Sequence, residues 1–266
     1  MAILDQFKLN GKAAIVTGAG RGLGQSIAFG LAEAGADIAA VDVLDQAETK
    51  AGVEKRGRRC ATVKADLSKS DCVPHIIDST LKALGHIDIL FNNAGIIRRA
   101  PLTEFSEKDW DDVLNINLRT LFFLSQAVAK VMIKQGRGGK IVNTASMLSF
   151  QGGIRVPSYT ASKSAVMGLT RLLGNELAPH GINVNAIAPG YMATDNTKAL
   201  REDEKRSAEI LARIPANRWG LPTDLQGVAV FLASPASDYV QGIKSNGGLP
   251  AQTFRGRRSK RWPRSL

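Results

Sequence analysis

The 266-residue chain has two cysteines, Cys60 and Cys72, and no set of cysteines and histidines at metal-ligand spacing. This excludes a disulfide framework and a zinc-type site, and two reduced thiols in a cytoplasmic protein are expected. Apolar runs fall far short of the ~20 residues that a membrane span needs. The start, MAILDQFKLNGKAAIVTG, has no basic segment leading into a long apolar one, so no signal peptide is expected. Internal repeats and low-complexity segments are also missing. Acids are absent from one region: residues 243–266 carry Lys244, Arg255, Arg257, Arg258, Lys260, Arg261 and Arg264 but no Asp or Glu. That tail supplies most of the formal net charge of +11, and the remaining body is only mildly basic. With 44% hydrophobic and 22% charged residues, the body is ordinary for a globular protein and large enough for one substantial core.

What is present alternates. Apolar, β-branched runs recur at 13–17, 37–43, 61–65, 87–92, 140–145 and 182–188. Between several of them lie stretches of helical periodicity, at 22–35, 70–84, 106–135 and 158–178. Short strands alternating with helices predict an α/β fold, a doubly wound parallel sheet with helices on both faces. Ser106 and Asp109 are spaced as a capping box opening the 106–135 helix, and GRGG at 136–139 ends it. Residues 1–242 read as a single domain, with 243–266 as an atypical basic tail.

Chemistry gathers at the ends of the strands. The first is followed by TGAGRGLG, Thr17 to Gly24, before an alanine-rich helix. Glycines there permit a tight turn and let backbone N–H groups approach a pyrophosphate at a helix N-terminus. Asp42 ends the second strand, where a carboxylate accepts hydrogen bonds from an adenosine ribose and repels a 2′-phosphate. Arg21, a cation inside the glycine turn, is suited to a 2′-phosphate instead. The position of Asp42 favours NAD over NADP. Asp66 follows the third strand and Asn92–Gly95 the fourth; Asn93 reads equally as a structural turn residue.

Ser146 lies just past the fifth strand, and Tyr159 and Lys163 are four apart on a predicted helix, hence on one face. A phenol with an ordinary pKa of ~10 is a poor acid–base group near neutrality. A neighbouring ammonium favours the phenolate, and a serine hydroxyl can hold a substrate carbonyl.

These residues resemble the short-chain dehydrogenase/reductase family. Its Thr-Gly-x3-Gly-x-Gly turn matches Thr17–Gly24, its Asn-Asn-Ala-Gly matches Asn92–Gly95, and its Tyr-x3-Lys matches Tyr159–Lys163. The resemblance implies a Rossmann-like fold with Tyr159 as general acid/base. It further implies that Lys163 lowers the tyrosine pKa and holds the nicotinamide ribose, that Ser146 orients the carbonyl, and that Asn117 holds a relay water. It implies coenzyme contacts from Thr17, Gly18, Arg21, Gly22, Leu23, Gly24, Asp42, Asp66, Leu67, Asn93, Ala94, Gly95, Tyr159, Lys163, Pro189, Gly190, Met192 and Thr194. No metal is implied.

Segments 105–113, 146–164, 188–197 and 206–222 further resemble the sugar-acid branch of the family, the bacterial 2-dehydro-3-deoxy-D-gluconate 5-dehydrogenases. A sugar acid needs a cation for its carboxylate; Arg155 is the expected partner, with Arg98 or Arg99 assisting. Gluconate 5-dehydrogenase and 3-oxoacyl carrier-protein reductase are rivals with the same catalytic residues. The family also implies a homotetramer, with no membrane partner. A non-catalytic nucleic-acid binder acting through the basic tail is a remote alternative, and no nucleic acid is expected. After Gly242 the resemblance stops. The family's last strand, roughly Val-Asp-Gly-Gly, is replaced by a basic sequence resembling out-of-frame translation, so the final strand is expected to be lost and a sheet edge exposed.

Overall fold

The strands are apolar at nearly every position because both of their faces are covered. In β1 (Ala13–Thr17), Ala13 and Ile15 enter one core while Ala14 and Val16 enter the other. The computed structural model describes residues 2–69 and 71–247. Continuing along the chain are α1 (Gly22–Glu33), β2 (Asp37–Asp42), α2 (Ala47–Glu54), β3 (Cys60–Lys64), α3 (Cys72–Leu84), β4 (Ile89–Asn92) and α4 (Glu107–Leu114). Then come α5 (Leu121–Gln135), β5 (Gly139–Thr144), α6 (Leu148–Gln151), α7 (Pro157–Leu177), β6 (Ile182–Pro189), α8 (Lys198–Glu202), α9 (Glu204–Leu211), α10 (Gln226–Ala233) and β7 (Lys244–Gly247). The seven strands among the described residues are all parallel, in the order β3–β2–β1–β4–β5–β6–β7. Helices α3, α5 and α7 cover one face and α1, α2 and α10 the other. The expected doubly wound fold is therefore present. The strand order reverses between β1 and β4, which opens a crevice at their C-terminal ends.

The predicted 106–135 helix is interrupted. Ser106 Oγ accepts from Asp109 N at 3.1 Å, as expected of its cap. Between α4 and α5, however, Asn115–Thr120 forms a π-helical turn, a form that recurs at functional sites. Taken together, Glu107–Gln135 is long and apolar enough to cross a membrane by length and composition alone, although polar residues interrupt its apolar runs. Here 44% of its most apolar stretch is buried, in contact with α3, α7 and β4. Gly136 ends the run in the left-handed conformation, φ 68°, which glycine adopts without steric cost.

The expectation that the last strand is lost is corrected. Lys244–Gly247 pairs in parallel with Ala186–Pro189. Backbone pairing is indifferent to the side chains that follow Gly242, and the chain is delivered to the edge by contacts upstream. Gln241 Nε2 donates to the carbonyls of Gly174 (2.9 Å) and Ile182 (3.0 Å), and its Oε1 accepts from Val184 N at 2.6 Å. Gly242 N donates to Val184 O, and Ala186 N to Ile243 O, both at 2.9 Å. Gln241→Ala removes three of these bonds. It is expected to destabilise the fold by roughly 2–3 kcal/mol and to lower Tm by roughly 5–10 °C in a thermal melt. The expected basic tail otherwise lies at 248–266, outside the described residues.

Candidate active site

Thr17 closes the end of β1 onto β4. Its Oγ1 accepts from Asn93 N (3.0 Å) and Ala94 N (3.1 Å), and Asn93 Nδ2 donates back to Thr17 O at 3.1 Å. Asn93 is thus held in a structural clamp while also lining the cavity described below. Gly18, at φ 66°, turns the chain beneath this clamp; a Cβ there would sit 2.9 Å from Ala94 Cα. A Cβ on Gly24 would collide with the Gly18 carbonyl, so α1 begins tight against the turn. The loop leaves a cradle whose walls are backbone, as a pyrophosphate requires.

Asp42 is 9% exposed. Its Oδ2 accepts from Gly20 N at 2.8 Å and its Oδ1 from Leu44 N at 3.0 Å. The carboxylate therefore faces the glycine turn, where the sequence put it. Asp66 accepts from Ser68 N at 3.0 Å, and hydrogen bonding from Ser68 holds its pKa below the usual carboxylate value.

A cavity of about 440 Å³ runs along these strand ends. Gly18, Arg21, Gly22, Leu23, Asp42, Asp66, Leu67, Asn93, Ala94, Gly95, Tyr159, Lys163 and Thr194 all line it, as does Arg98. Pro189, Gly190 and Met192 lie beyond its lining, at the end of β6, where Pro189 O accepts from Met147 N at 3.2 Å. Met192 O accepts from Thr197 Oγ1 at 2.6 Å and shapes the following loop. The sequence analysis did not name Val43, Leu44, Ala65, Ile96, Ile97, Ile116, Thr144, Asp195 or Asn196, which also line the cavity. Several directly follow strands β2, β3 and β4 or end β5, and strand ends in an open α/β sheet are the signal that finds them.

Tyr159 and Lys163, which line the cavity, gather with Ser146. Ser146 hydrogen-bonds Tyr159, and Ser146 Oγ accepts from Leu148 N at 3.1 Å. Lys163 is 2% exposed. Its Nζ donates to Thr144 O at 2.7 Å and lies 5.8 Å from the Tyr159 ring centroid. Burial lowers the Lys163 pKa to about 8.

One expectation about a role is corrected here. The phenol pKa is raised, not lowered. Burial dominates, and the opposing influences are the hydrogen bond with Ser146 and the charge of Arg99 rather than Lys163. The physical reason is that the ammonium points at the Thr144 carbonyl and is itself desolvated. The Asn117 amide, 0% exposed, is fully engaged: Oδ1 accepts from Ile96 N at 2.8 Å, and Nδ2 donates to Ile96 O (2.9 Å) and Ser162 Oγ (3.3 Å). It clamps the strand-end loop that carries Gly95 past Lys163, where a Cβ would stand 3.5 Å from Nζ.

The three arginines differ in their surroundings. Arg155 is exposed, at φ 63°, outside the cavity lining, and its main-chain carbonyl is held by Ala100 N at 3.1 Å. Arg98 lines the cavity but is paired with Asp109 (3.3 Å) and Asp112 (4.0 Å) on α4. Arg99 is the arginine whose charge acts on Tyr159, and its Nη2 donates to Asn196 O at 3.3 Å. No group of three or more potential metal ligands occurs among the described residues.

The chain is similar to known proteins. The chain is 63% identical over 252 residues to the 2-dehydro-3-deoxy-D-gluconate 5-dehydrogenase of Escherichia coli K12, across 94% of this chain and 100% of that protein. A crystal structure from Agrobacterium tumefaciens, assigned as a 2-deoxy-D-gluconate 3-dehydrogenase and holding NADP, is 53% identical with a TM-score of 0.86 and covers 91% of this chain and 97% of its own. The gluconate 5-dehydrogenase of Burkholderia cenocepacia, in complex with NADP and tartrate, is 41% identical with a TM-score of 0.88, covering 92% and 97%. The short chain dehydrogenase family matches residues 12–205. That span holds the glycine cradle, the Asn93 clamp and the Ser146–Tyr159–Lys163 cluster alike, and the chain belongs to the short-chain dehydrogenase/reductase family.

Proposed function

We propose that this protein is a nicotinamide-dependent oxidoreductase interconverting 2,5-diketo-3-deoxygluconate and 2-keto-3-deoxygluconate, in the breakdown of pectin-derived uronates. The observation that carries the reading is the cluster of Ser146, Tyr159 and Lys163, the last two of which line the groove along the strand ends. The 63% identity to a named dehydrogenase along that protein's whole length supports the substrate. The glycine cradle and Asp42 would hold the dinucleotide, with Lys163 at its nicotinamide end. Asp42 supports NAD. Relatives crystallised with NADP support that coenzyme as well. The cytoplasmic location and the homotetramer belong to the same proposal.

Bound, the nicotinamide supplies hydride in reduction and accepts it in oxidation. In reduction the C5 carbonyl carbon gains the hydride and its oxygen gains the Tyr159 proton, so a ketone becomes an alcohol. Ser146, already bonded to Tyr159, holds the carbonyl oxygen beside the phenol. Lys163 neighbours the phenolate that remains, and Asn117 fixes the loop against which Lys163 packs.

The direct test is turnover of NADH and NADPH with 2,5-diketo-3-deoxygluconate, beside 5-ketogluconate and a 3-oxoacyl thioester. Fastest turnover of either rival substrate sinks the assignment. The substrate carboxylate is assigned to Arg99, whose charge acts on Tyr159, with Arg155, exposed like Arg99, as the alternative. Arg99→Gln is expected to raise KM for the sugar acid by about 10- to 100-fold. Arg155→Gln is expected to change it little, and steady-state kinetics with the reverse pattern would return the role to Arg155.

A further inference from the structure

The loop after β6 is tied across the groove by arginines from the facing wall. Arg21 Nη1 lies 2.8 Å from Asp195 Oδ2, and Arg99 Nη2 reaches Asn196 O at 3.3 Å. Arg21 follows Gly20, whose N–H holds the Asp42 carboxylate at 2.8 Å. Its long side chain therefore stands between two acids: Asp42 at the adenosine end of the groove, and Asp195 on the loop. In this structure the guanidinium is on Asp195. Of the other cations lining the groove, Arg98 is paired with α4 and Lys163 is buried on Thr144 O.

We propose that Asp195 is a coenzyme-selectivity residue: by holding Arg21 on the loop it withholds that cation from the 2′-phosphate of NADP, and so favours NAD. The inference rests on the dinucleotide reading of the groove and is independent of the sugar acid. A 2′-phosphate beside Asp42 meets like charge. An arginine fork turned toward it offsets that repulsion and binds it bidentately, at the cost of the bond to Asp195. Both partners of that bond are about two-thirds exposed, at 65% and 64%. Exposed pairs shift an equilibrium by at most about fivefold, so the device tunes preference rather than imposing it.

The test measures Kd for NADH and for NADPH by titration calorimetry of the full chain, with no substrate present. Asp195→Asn is expected to raise NADPH affinity relative to NADH by about two- to fivefold. Deleting a negative charge near the groove favours any anion, so the same substitution is repeated in an Arg21→Gln background. There the relative gain is expected to vanish. An unchanged ratio in Asp195→Asn, or an equal gain in both backgrounds, overturns the role of the ion pair. Failure of the unsubstituted protein to bind either coenzyme overturns the dinucleotide reading, and this inference with it.

Discussion

Replacing Tyr159 with phenylalanine is expected to lower kcat for ketone reduction by about 10²- to 10⁴-fold, the range for loss of a positioned general acid, with little change in coenzyme affinity. The ring keeps its packing and its place beside Lys163; only the hydroxyl bonded to Ser146 is removed. Burial raises the phenol pKa above its ordinary 10.0, so the group is a proton donor throughout the neutral range. Reduction by the unsubstituted enzyme is therefore expected to be flat with pH near neutrality and to fall only in strong alkali. Alcohol oxidation needs the phenolate and is expected to rise with pH over the same range. Initial rates in both directions, from pH 6 to pH 10, check this. Parallel profiles in the two directions, or substantial kcat in Tyr159→Phe, would remove Tyr159 from the proton transfer.

That prediction starts from residues that the sequence exposes easily. Strands such as β1 and β2 are legible because burial on both faces makes them apolar throughout. The glycine turn is legible because a backbone-walled cradle leaves no room for Cβ atoms at Gly18 and Gly24. Helix α2, AETKAGVE, was passed over because much of it is polar and it buries little beyond Thr49 and Val53. Helix α10, QGVAVFLA, is nearly all apolar over eight residues, too short and uniform for a helical period to show. The π turn at Asn117 changes which carbonyl each N–H reaches and leaves no mark on composition. The arginine surroundings were illegible for a related reason. Arg155 is close to Tyr159 in sequence, but the chain bends at its left-handed φ and leaves it exposed outside the cavity lining. Arg99 arrives from the loop after the neighbouring strand β4, a proximity that only the fold creates.

Replacing Lys163 with methionine is expected to separate stability from activity. At pH 7 the lysine is held charged at 2% exposure, and burial lowers its pKa from 10.5 to about 8. A drop of that size corresponds to destabilisation on the order of 3 kcal/mol at neutral pH, from which loss of the bond to Thr144 O subtracts about 1–2 kcal/mol in the variant. The methionine protein is thus expected to melt a few degrees higher at pH 7, while kcat/KM falls by about 10²- to 10³-fold for want of the positioned cation. The pH dependence follows from the same shift. Between about pH 8 and 10.5 the unfolded lysine keeps a proton that the folded one has released. The unfolded state then binds more protons, and this group's contribution to stability rises with pH across that window. The melting advantage of Lys163→Met should accordingly shrink from pH 7 to pH 10 and turn negative once only the lost Thr144 bond remains. A difference in Tm that stays constant across that range would mean that Lys163 is not a buried ammonium at neutral pH.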